Sequence, residues 1–166
     1  NAAISACHAR YPAAAEVVVP PGVWRTGSVN LTSNLTLRLS AGATLLSTND
    51  EAHYAQVPMV PNESREAIRN QGFIACWGCV NTRVVGAGGG GPSPSTIDGN
   101  GPVWNNYTTD PAKRAQVHAH QFARPFLVNP QHCRNFAITN VHLKDSAFWT
   151  LTPFVCDGVY IADVNA

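Results

Sequence analysis

Apolar and polar residues alternate in short segments along most of the chain, and Gly or Pro ends many of these segments. Leu35, Leu37 and Leu39 alternate with polar residues, and a second apolar segment follows Gly42 at 43–46. Such alternation predicts half-buried β-strands. Turn residues recur about every eight positions, and no helix pattern is long enough to cross a parallel sheet. The pattern therefore predicts an all-β protein made of short strands and turns.

The regularity is clearest where two segments repeat near the end of the sequence. Residues 133–143 and 156–166 align at an offset of 23, which places Cys133 opposite Cys156 and Asn140 opposite Asp163. A further copy begins at Cys79. A fixed period in the low twenties, with apolar residues alternating inside each copy, is typical of a solenoid of stacked strands. We therefore predict a β-solenoid.

The same pattern divides the chain into regular and irregular parts. It predicts one partial β-helix domain over 1–166, and the rest of its own chain would be needed to cap the solenoid, because the repeat continues to the last residue. The predicted parts are a capping helix at 1–11, first coils at 12–48, an inserted loop at 49–70, coils with a Gly-rich loop at 71–101, a second inserted loop at 102–123 and regular coils at 124–166.

Composition and charge narrow the possible partners. Only 13% of the residues are charged, and the formal net charge is +1. This leaves no electrostatic reason to expect nucleic acid or an anionic membrane as a partner. No apolar run approaches the roughly 18 residues that a membrane span needs. We therefore expect neither a nucleic-acid partner nor a membrane span.

Four Asn-x-Ser/Thr triplets are candidate N-glycosylation sites, at Asn30, Asn34, Asn62 and Asn106. Such triplets also arise by chance in a chain rich in Asn and Thr. Their number in loop-like or strand-edge contexts favours a secreted, extracellular glycoprotein.

The chain has five cysteines, an odd number. Cys79, Cys133 and Cys156 share one position of the repeat, which predicts that they stack on neighbouring coils as buried thiols. A bridge from Cys76 to either Cys7 or Cys79 is also possible.

Three motifs that can carry cofactor chemistry are incomplete. The Gly-rich run at 86–91 fits a dinucleotide-binding pattern, but a proline follows where that motif needs a helix N-terminus. Cys76 and Cys79 form a lone C-x-x-C without the second pair that zinc needs. His118 and His120 lack a third ligand. We therefore predict no metal and no cofactor.

Acidic residues in the predicted coils do not form a catalytic pair. Glycoside hydrolysis with inversion needs two carboxyl groups about 6.5–9.5 Å apart in one cleft. Asp98 lies in an Asp-Gly turn, where the side chain usually bonds the local backbone. Asp163 occupies the position of Asn140 one coil earlier, which favours a stacking role. Asp145 and Asp157 have no evident partner, so no catalytic residue is assigned in this segment.

The ordered set of motifs resembles glycoside hydrolase family 28, the polygalacturonases and related pectin-degrading enzymes. The segments that carry the resemblance cover nearly the whole chain. They are residues 18–27, 30–37 and 41–46, the Thr-Ile-Asp-Gly-Asn-Gly turn at 96–101 followed by Trp104, the Arg-Pro segment at 124–128 with Asn135, and the Phe-Trp-Thr segment at 146–153.

The resemblance implies a right-handed parallel β-helix of the pectin-lyase-like type with an N-terminal capping helix. It also implies hydrolysis of α-1,4-galacturonosyl bonds of pectin with inversion, without metal or organic cofactor. The family's catalytic carboxylates match no residue here. Trp149, Arg124 and His120 are candidate substrate contacts, as an aromatic face for a sugar and cations for uronate carboxylates.

Two residues depart from the family pattern, since many relatives have His at the position of Thr152 and Pro at that of Ala147. Both positions bear on fine substrate specificity. Two other functions remain open on the same fold: a non-catalytic structural β-helix at a cell surface, and a pectate-lyase-like lyase. A lyase of this kind would need a cluster of carboxylates to bind calcium. The small number of Asp and Glu residues in this chain argues against a lyase.

Overall fold

The computed structural model describes residues 1–58, 68–88, 92–104 and 124–166. Within these ranges the chain forms an N-terminal α-helix, a short helical segment at 101–104, a short 3₁₀-helix at Glu51–His53 and a series of short strands. The helix and strands are α1 (Ala2–Arg10), β1 (Ala15–Val19), β2 (Gly22–Thr26), β3 (Val29–Asn30), β4 (Leu35–Leu39), β5 (Ala43–Ser47), β6 (Gln56–Pro58), β7 (Ile68–Asn70), β8 (Ile74–Trp77), β9 (Val80–Val85), β10 (Thr96–Asp98), β11 (Val128–Gln131), β12 (Arg134–Thr139), β13 (His142–Lys144) and β14 (Asp157–Ala162).

The strands form three parallel sheets that the chain visits in turn. The first sheet has the order β1-β4-β9-β12-β14, the second β2-β5-β10-β13 and the third β3-β8-β11. The first three circuits each contribute a strand to every sheet, the fourth contributes β12 and β13, and the last contributes β14. Each circuit stacks on the circuit before it. The architecture is the right-handed parallel β-helix that the sequence predicts. Strands β6 and β7 pair antiparallel and stand apart from this pattern.

The repeat register predicted from the sequence is the register of the first sheet. Phe136 lies opposite Val159, and Ile138 lies opposite Ile161. The Asp157 amide donates to the Cys133 carbonyl oxygen at 2.8 Å, so the two repeat cysteines occupy the same place on successive coils.

Asparagines take a left-handed conformation at the start of three strands of the first sheet. Asn34, Asn81 and Asn135 each have φ of 56°, a left-handed conformation that Asn tolerates better than most residues. Asn81 Nδ2 donates to Asn34 Oδ1 at 3.2 Å, and Asn135 Nδ2 donates to Asn81 Oδ1 at 3.1 Å. The turns are thus held in line by a ladder of side-chain amides. Gly158 takes the same place on the last coil, with φ of 72°.

Apolar residues that point into the coils form one continuous core. Its largest fully buried side chains include Trp104, Phe73, Phe126, Phe136, Leu35, Leu39, Ile74 and Ile97. Alternation places the other residues of each strand outside, as in β4 and β5, where buried and more exposed residues alternate. The alternation read from the sequence therefore corresponds to the inner and outer faces of the sheets.

Helix α1 packs on the first coil, as predicted for a capping helix. Ile4 is its buried residue, and Cys7 packs against the core. The Asn1 side chain donates to the Ser28 carbonyl oxygen at 2.8 Å and accepts from the backbone amide of Asn30 at 2.7 Å. These contacts cover the open end of the core at β1. No helix in the described ranges is long and apolar enough to span a membrane.

The cysteines differ from the prediction of three stacked thiols. Cys76 and Cys79 form a disulfide, so Cys79 is not a thiol. Two side chains three residues apart on a straight strand would point to opposite faces, but Gly78 has φ of 63° and turns the chain between them. Cys133 is a buried free thiol, and burial raises its pKa. Cys156 is a free thiol that is only partly buried.

Raising the pH from about 10 to about 12 is expected to destabilise the fold through Tyr54. Its side chain is 5% exposed, and burial raises the pKa of its hydroxyl to about 12. In this pH window the unfolded chain loses the phenol proton while the folded chain keeps it, so the free energy of unfolding falls by on the order of 2 kcal/mol. Urea titrations at both ends of the window measure this loss, and Tyr54→Phe should lose less stability than wild type. Equal losses would exclude Tyr54 as the cause.

Candidate functional site

Aromatic side chains and one arginine meet where the chain enters the third sheet. The Leu127 amide donates to the Trp149 carbonyl oxygen at 2.9 Å, and the Val128 amide donates to the Thr150 carbonyl oxygen at 3.0 Å. Phe126 and Trp149 therefore lie on neighbouring coils at the same height along the strands. Parallel stacking of coils thus brings together two residues that the sequence separates by three strands and the turns between them.

Three rings form a stack at this point. The Phe126 ring is 5.4 Å from the Phe148 ring and 5.5 Å from the Trp149 ring, with interplanar angles of 6° and 15°. Phe126 is buried, whereas Trp149 is 46% exposed. The buried ring therefore supports an indole that solvent can reach.

Arg124 joins the same cluster. Its guanidinium carbon lies 4.9 Å from the centre of the Phe148 ring, and its Nη1 donates to the Ala147 carbonyl oxygen at 3.5 Å. Burial lowers the pKa of Arg124, but an arginine remains cationic at neutral pH. A partly desolvated cation over an aromatic face is attracted to the ring more strongly than an exposed one. We call Arg124, Phe126, Phe148 and Trp149 the arginine–aromatic cluster.

The cluster is suited to bind an acidic sugar. An exposed aromatic face can pack against the apolar side of a pyranose ring, while a guanidinium binds a carboxylate through charge-assisted hydrogen bonds. The sequence identified Trp149 and Arg124 as candidate contacts but missed Phe148. The Phe-Trp dipeptide was the available signal, and only the fold shows that both rings stack on Phe126. His120 lies outside the described residues.

Two acidic residues of the described coils, Asp98 and Asp145, are engaged in a turn and in ion pairs. Asp98 Oδ1 accepts from the backbone amide of Asn100 at 2.8 Å. This is the side-chain-to-backbone contact predicted for the Asp-Gly turn. Lys144 Nζ lies 3.3 Å from Asp98 Oδ2 and 3.0 Å from Asp145 Oδ2. Hydrogen bonds to Asp145 and Asp98 raise the pKa of Lys144. These contacts give Asp98 and Asp145 a structural role, and no catalytic role is needed to explain their positions.

The sulfur atoms of Cys76, Cys79 and Cys133 lie within 4.8 Å of one another. Two of them form the disulfide. A disulfide sulfur is not the thiolate that a metal needs, so this buried group is a structural part of the coil.

The candidate glycosylation sites have different surroundings. Asn30 is exposed at the end of β3. Asn34 belongs to the amide ladder, and its Nδ2 also donates to the Pro12 carbonyl oxygen at 3.2 Å. Asn62 and Asn106 lie outside the described residues. Glycosylation at all four stays a prediction.

A second set of aromatic rings lies at the opposite end of the third-sheet strands, and the sequence did not identify it. His132 is 4.8 Å from Trp77 and 6.2 Å from Phe154, measured between ring centres. Trp77, Gln131 and Phe154 share one position on successive coils. His132 has φ of 53°, and its ring contacts both neighbours.

Comparison with known proteins places these features in context. No protein-family model matches the chain. A probable polygalacturonase from Vitis vinifera is 28% identical over 153 residues, covering 91% of this chain and 29% of that protein. An exo-poly-alpha-D-galacturonosidase from Dickeya chrysanthemi is 34% identical over 108 residues, covering 60% of this chain and 16% of that protein. The chain therefore spans less than a third of the length of these curated relatives.

A solved structure shares the fold. The family 28 exopolygalacturonase from Yersinia enterocolitica matches 99% of this chain and 36% of its own chain, with a TM-score of 0.74 and 19% identity. At this identity the likeness concerns the fold, while the curated relatives carry the likeness in sequence. Together they make this chain a segment of a right-handed parallel β-helix that is similar to glycoside hydrolase family 28 over most of its length.

Proposed function

We propose that this chain is part of a polygalacturonase-like glycoside hydrolase, which cleaves α-1,4-galacturonosyl bonds of pectin with inversion. The segment supplies the helical cap, the scaffold and one part of the substrate cleft. The observation that carries the proposal is the arginine–aromatic cluster, an exposed indole and a guanidinium side by side on a fold shared with a family 28 exopolygalacturonase.

The chemistry of the substrate explains why such a cluster would bind it. Each galacturonate unit has a carboxylate and a pyranose ring with an apolar side. Arg124 offers a cation for the carboxylate, and Trp149 offers a flat face for the ring. The catalytic carboxylates are not assigned to any residue of this segment. We call the longer protein to which this segment would belong the parent protein, and its catalytic carboxylates would lie elsewhere in its chain.

We further propose that the parent protein is secreted and acts on cell-wall pectin outside the cell. The four candidate glycosylation triplets support an extracellular location. An insoluble polysaccharide substrate would require the same location.

Release of reducing sugar from polygalacturonate by the parent protein tests the activity. Hydrolysis is expected at about pH 4–6, where a catalytic carboxylic acid can remain protonated. No release anywhere in this range would reject the proposal and favour a structural β-helix. An ultraviolet-absorbing unsaturated product would instead indicate a lyase.

Trp149→Ala in the parent protein is expected to lower kcat/KM on polygalacturonate by about tenfold, a loss of about 1.4 kcal/mol of binding that a stacked ring can supply. The matched control is Trp24→Ala, because Trp24 is 47% exposed and lies on the second sheet, away from the cluster. The control should keep wild-type kinetics. Equal effects of the two substitutions would contradict a role for Trp149 in binding.

A further inference from the structure

An open groove of about 390 Å³ runs across the outer face of the first sheet, over strands β9, β12 and β14. The side chains that line it and matter here are Arg83, Asn135, Ala137, Thr139 and Tyr160. The arginine–aromatic cluster lies at the third sheet, on another side of the β-helix. The groove is therefore a separate surface.

Differences in side-chain size along one row of the sheet create the groove. Arg83 lies opposite Ala137 in the pairing of β9 with β12, and Ala137 lies opposite Tyr160 in the pairing of β12 with β14. Neighbouring strands are roughly 4.8 Å apart, so the long arginine and the large ring stand about 10 Å apart. The small Ala137 forms the floor between them. Gly158 leaves further space because it has no side chain beside Asn135.

The charge of the groove is not neutralised in the described part of the chain. On the preceding coil Arg38 forms an ion pair with Glu16 at 2.8 Å. No ion pair is formed by Arg83 among the described residues, and none of the described residues that line the groove is acidic. An exposed cation beside a wall without carboxylates creates a positive site that suits an anion.

The other wall and the rim suit a sugar. Tyr160 is 63% exposed, so its ring offers a face and a hydroxyl to a ligand. Asn135 lies at the rim, and its side-chain amide uses one of its two N–H donors in the ladder. The rim thus has polar groups next to an aromatic wall and a cation.

We propose that this groove is a second saccharide-binding site, which holds an acidic oligosaccharide of uronate units. Arg83 binds a uronate carboxylate, Tyr160 packs against a pyranose ring, and Ala137 leaves room for the chain between them. The choice of galacturonate as the uronate unit rests on the proposed function. It would hold the protein on a polyuronate while the cleft acts on another part of the chain.

The test measures the number of binding sites by isothermal titration calorimetry of the full-length parent protein with a short galacturonate oligomer. Two sites are expected in wild type, and Arg83→Gln and Tyr160→Ala should each weaken one of them by about tenfold or more. The matched control is Arg25→Gln, because Arg25 is exposed on the second sheet and outside the groove. Two unchanged sites in both groove variants, or a single site in wild type, would overturn the proposal.

A kinetic measurement separates this proposal from the proposed function. Hydrolysis of a soluble oligomer by the groove variants should equal that of wild type, while their retention on insoluble polygalacturonate should fall. A protein that hydrolyses polygalacturonate and whose groove variants are retained like wild type would overturn only the second site. A protein that neither hydrolyses nor binds polygalacturonate would overturn both.

Discussion

Phe136→Ala is expected to destabilise the protein by about 3–5 kcal/mol, the range observed for removing a fully buried aromatic side chain. Phe136 is 1% exposed and lies in β12, the strand of the first sheet that pairs with both β9 and β14. Its partners in register are Thr82 and Val159. Because three coils meet at this ring, the cavity left by alanine cannot close without shifting their backbones.

The measurement is the midpoint and slope of urea unfolding, compared between wild type and variant. Phe136→Leu is the matched variant that keeps most of the apolar volume, and it should lose clearly less stability. Val23→Ala is the surface control, because Val23 is 68% exposed, and it should change stability by less than about 0.5 kcal/mol. A loss below about 1 kcal/mol for Phe136→Ala would show that the ring does not support the stack of coils.

Gly86→Ala is expected to destabilise the protein by about 3 kcal/mol, at the upper end of the cost of overpacking. A Cβ at position 86 would lie 2.1 Å from the Asn140 carbonyl oxygen and 2.8 Å from Val141 Cγ1. The first contact is with backbone, so a change of rotamer cannot relieve it. The Gly86 amide also donates to the Thr139 carbonyl oxygen at 2.9 Å, which holds the two coils together.

The matched control is Ala87→Ser, one residue later on an exposed position, which should leave stability nearly unchanged. Thermal unfolding of both variants gives the comparison. If Gly86→Ala unfolds at the wild-type temperature, the close approach of the coils at Asn140 is not required. The result also bears on the Gly-rich run itself, since its first glycine has a packing role in the coil and no nucleotide is needed to explain it.

The fold could be predicted from the sequence because every coil of a β-helix repeats the same pattern of strands and turns. Residues one period apart meet the same neighbours, so Cys133 and Cys156 align in sequence and stack in the structure. The left-handed residues of the structure repeat in the same way, since Asn81 and Asn135 occupy one position of the repeat. Irregular parts have no such internal copy, and the boundaries proposed for the two inserted loops stay predictions.

The candidate site was predicted only in part. Trp149 and Arg124 were found because they belong to segments that resemble a known family. Phe148 was missed, since a Phe beside a Trp has no periodic signal that separates a supporting ring from a core residue. The disulfide between Cys76 and Cys79 stayed one of two options, because the left-handed turn at Gly78 decides whether these side chains can meet.

The sequence by itself determined the class of fold, the inner and outer faces of the strands and the register of the repeat, because all three follow from local alternation and a fixed period. Only the tertiary structure decided which distant side chains share a surface. Arg83 and Tyr160 face one groove because two coils bring them together across Ala137. Such contacts depend on which coils are neighbours and on the size of the residue between them, and neither is a property of any one segment.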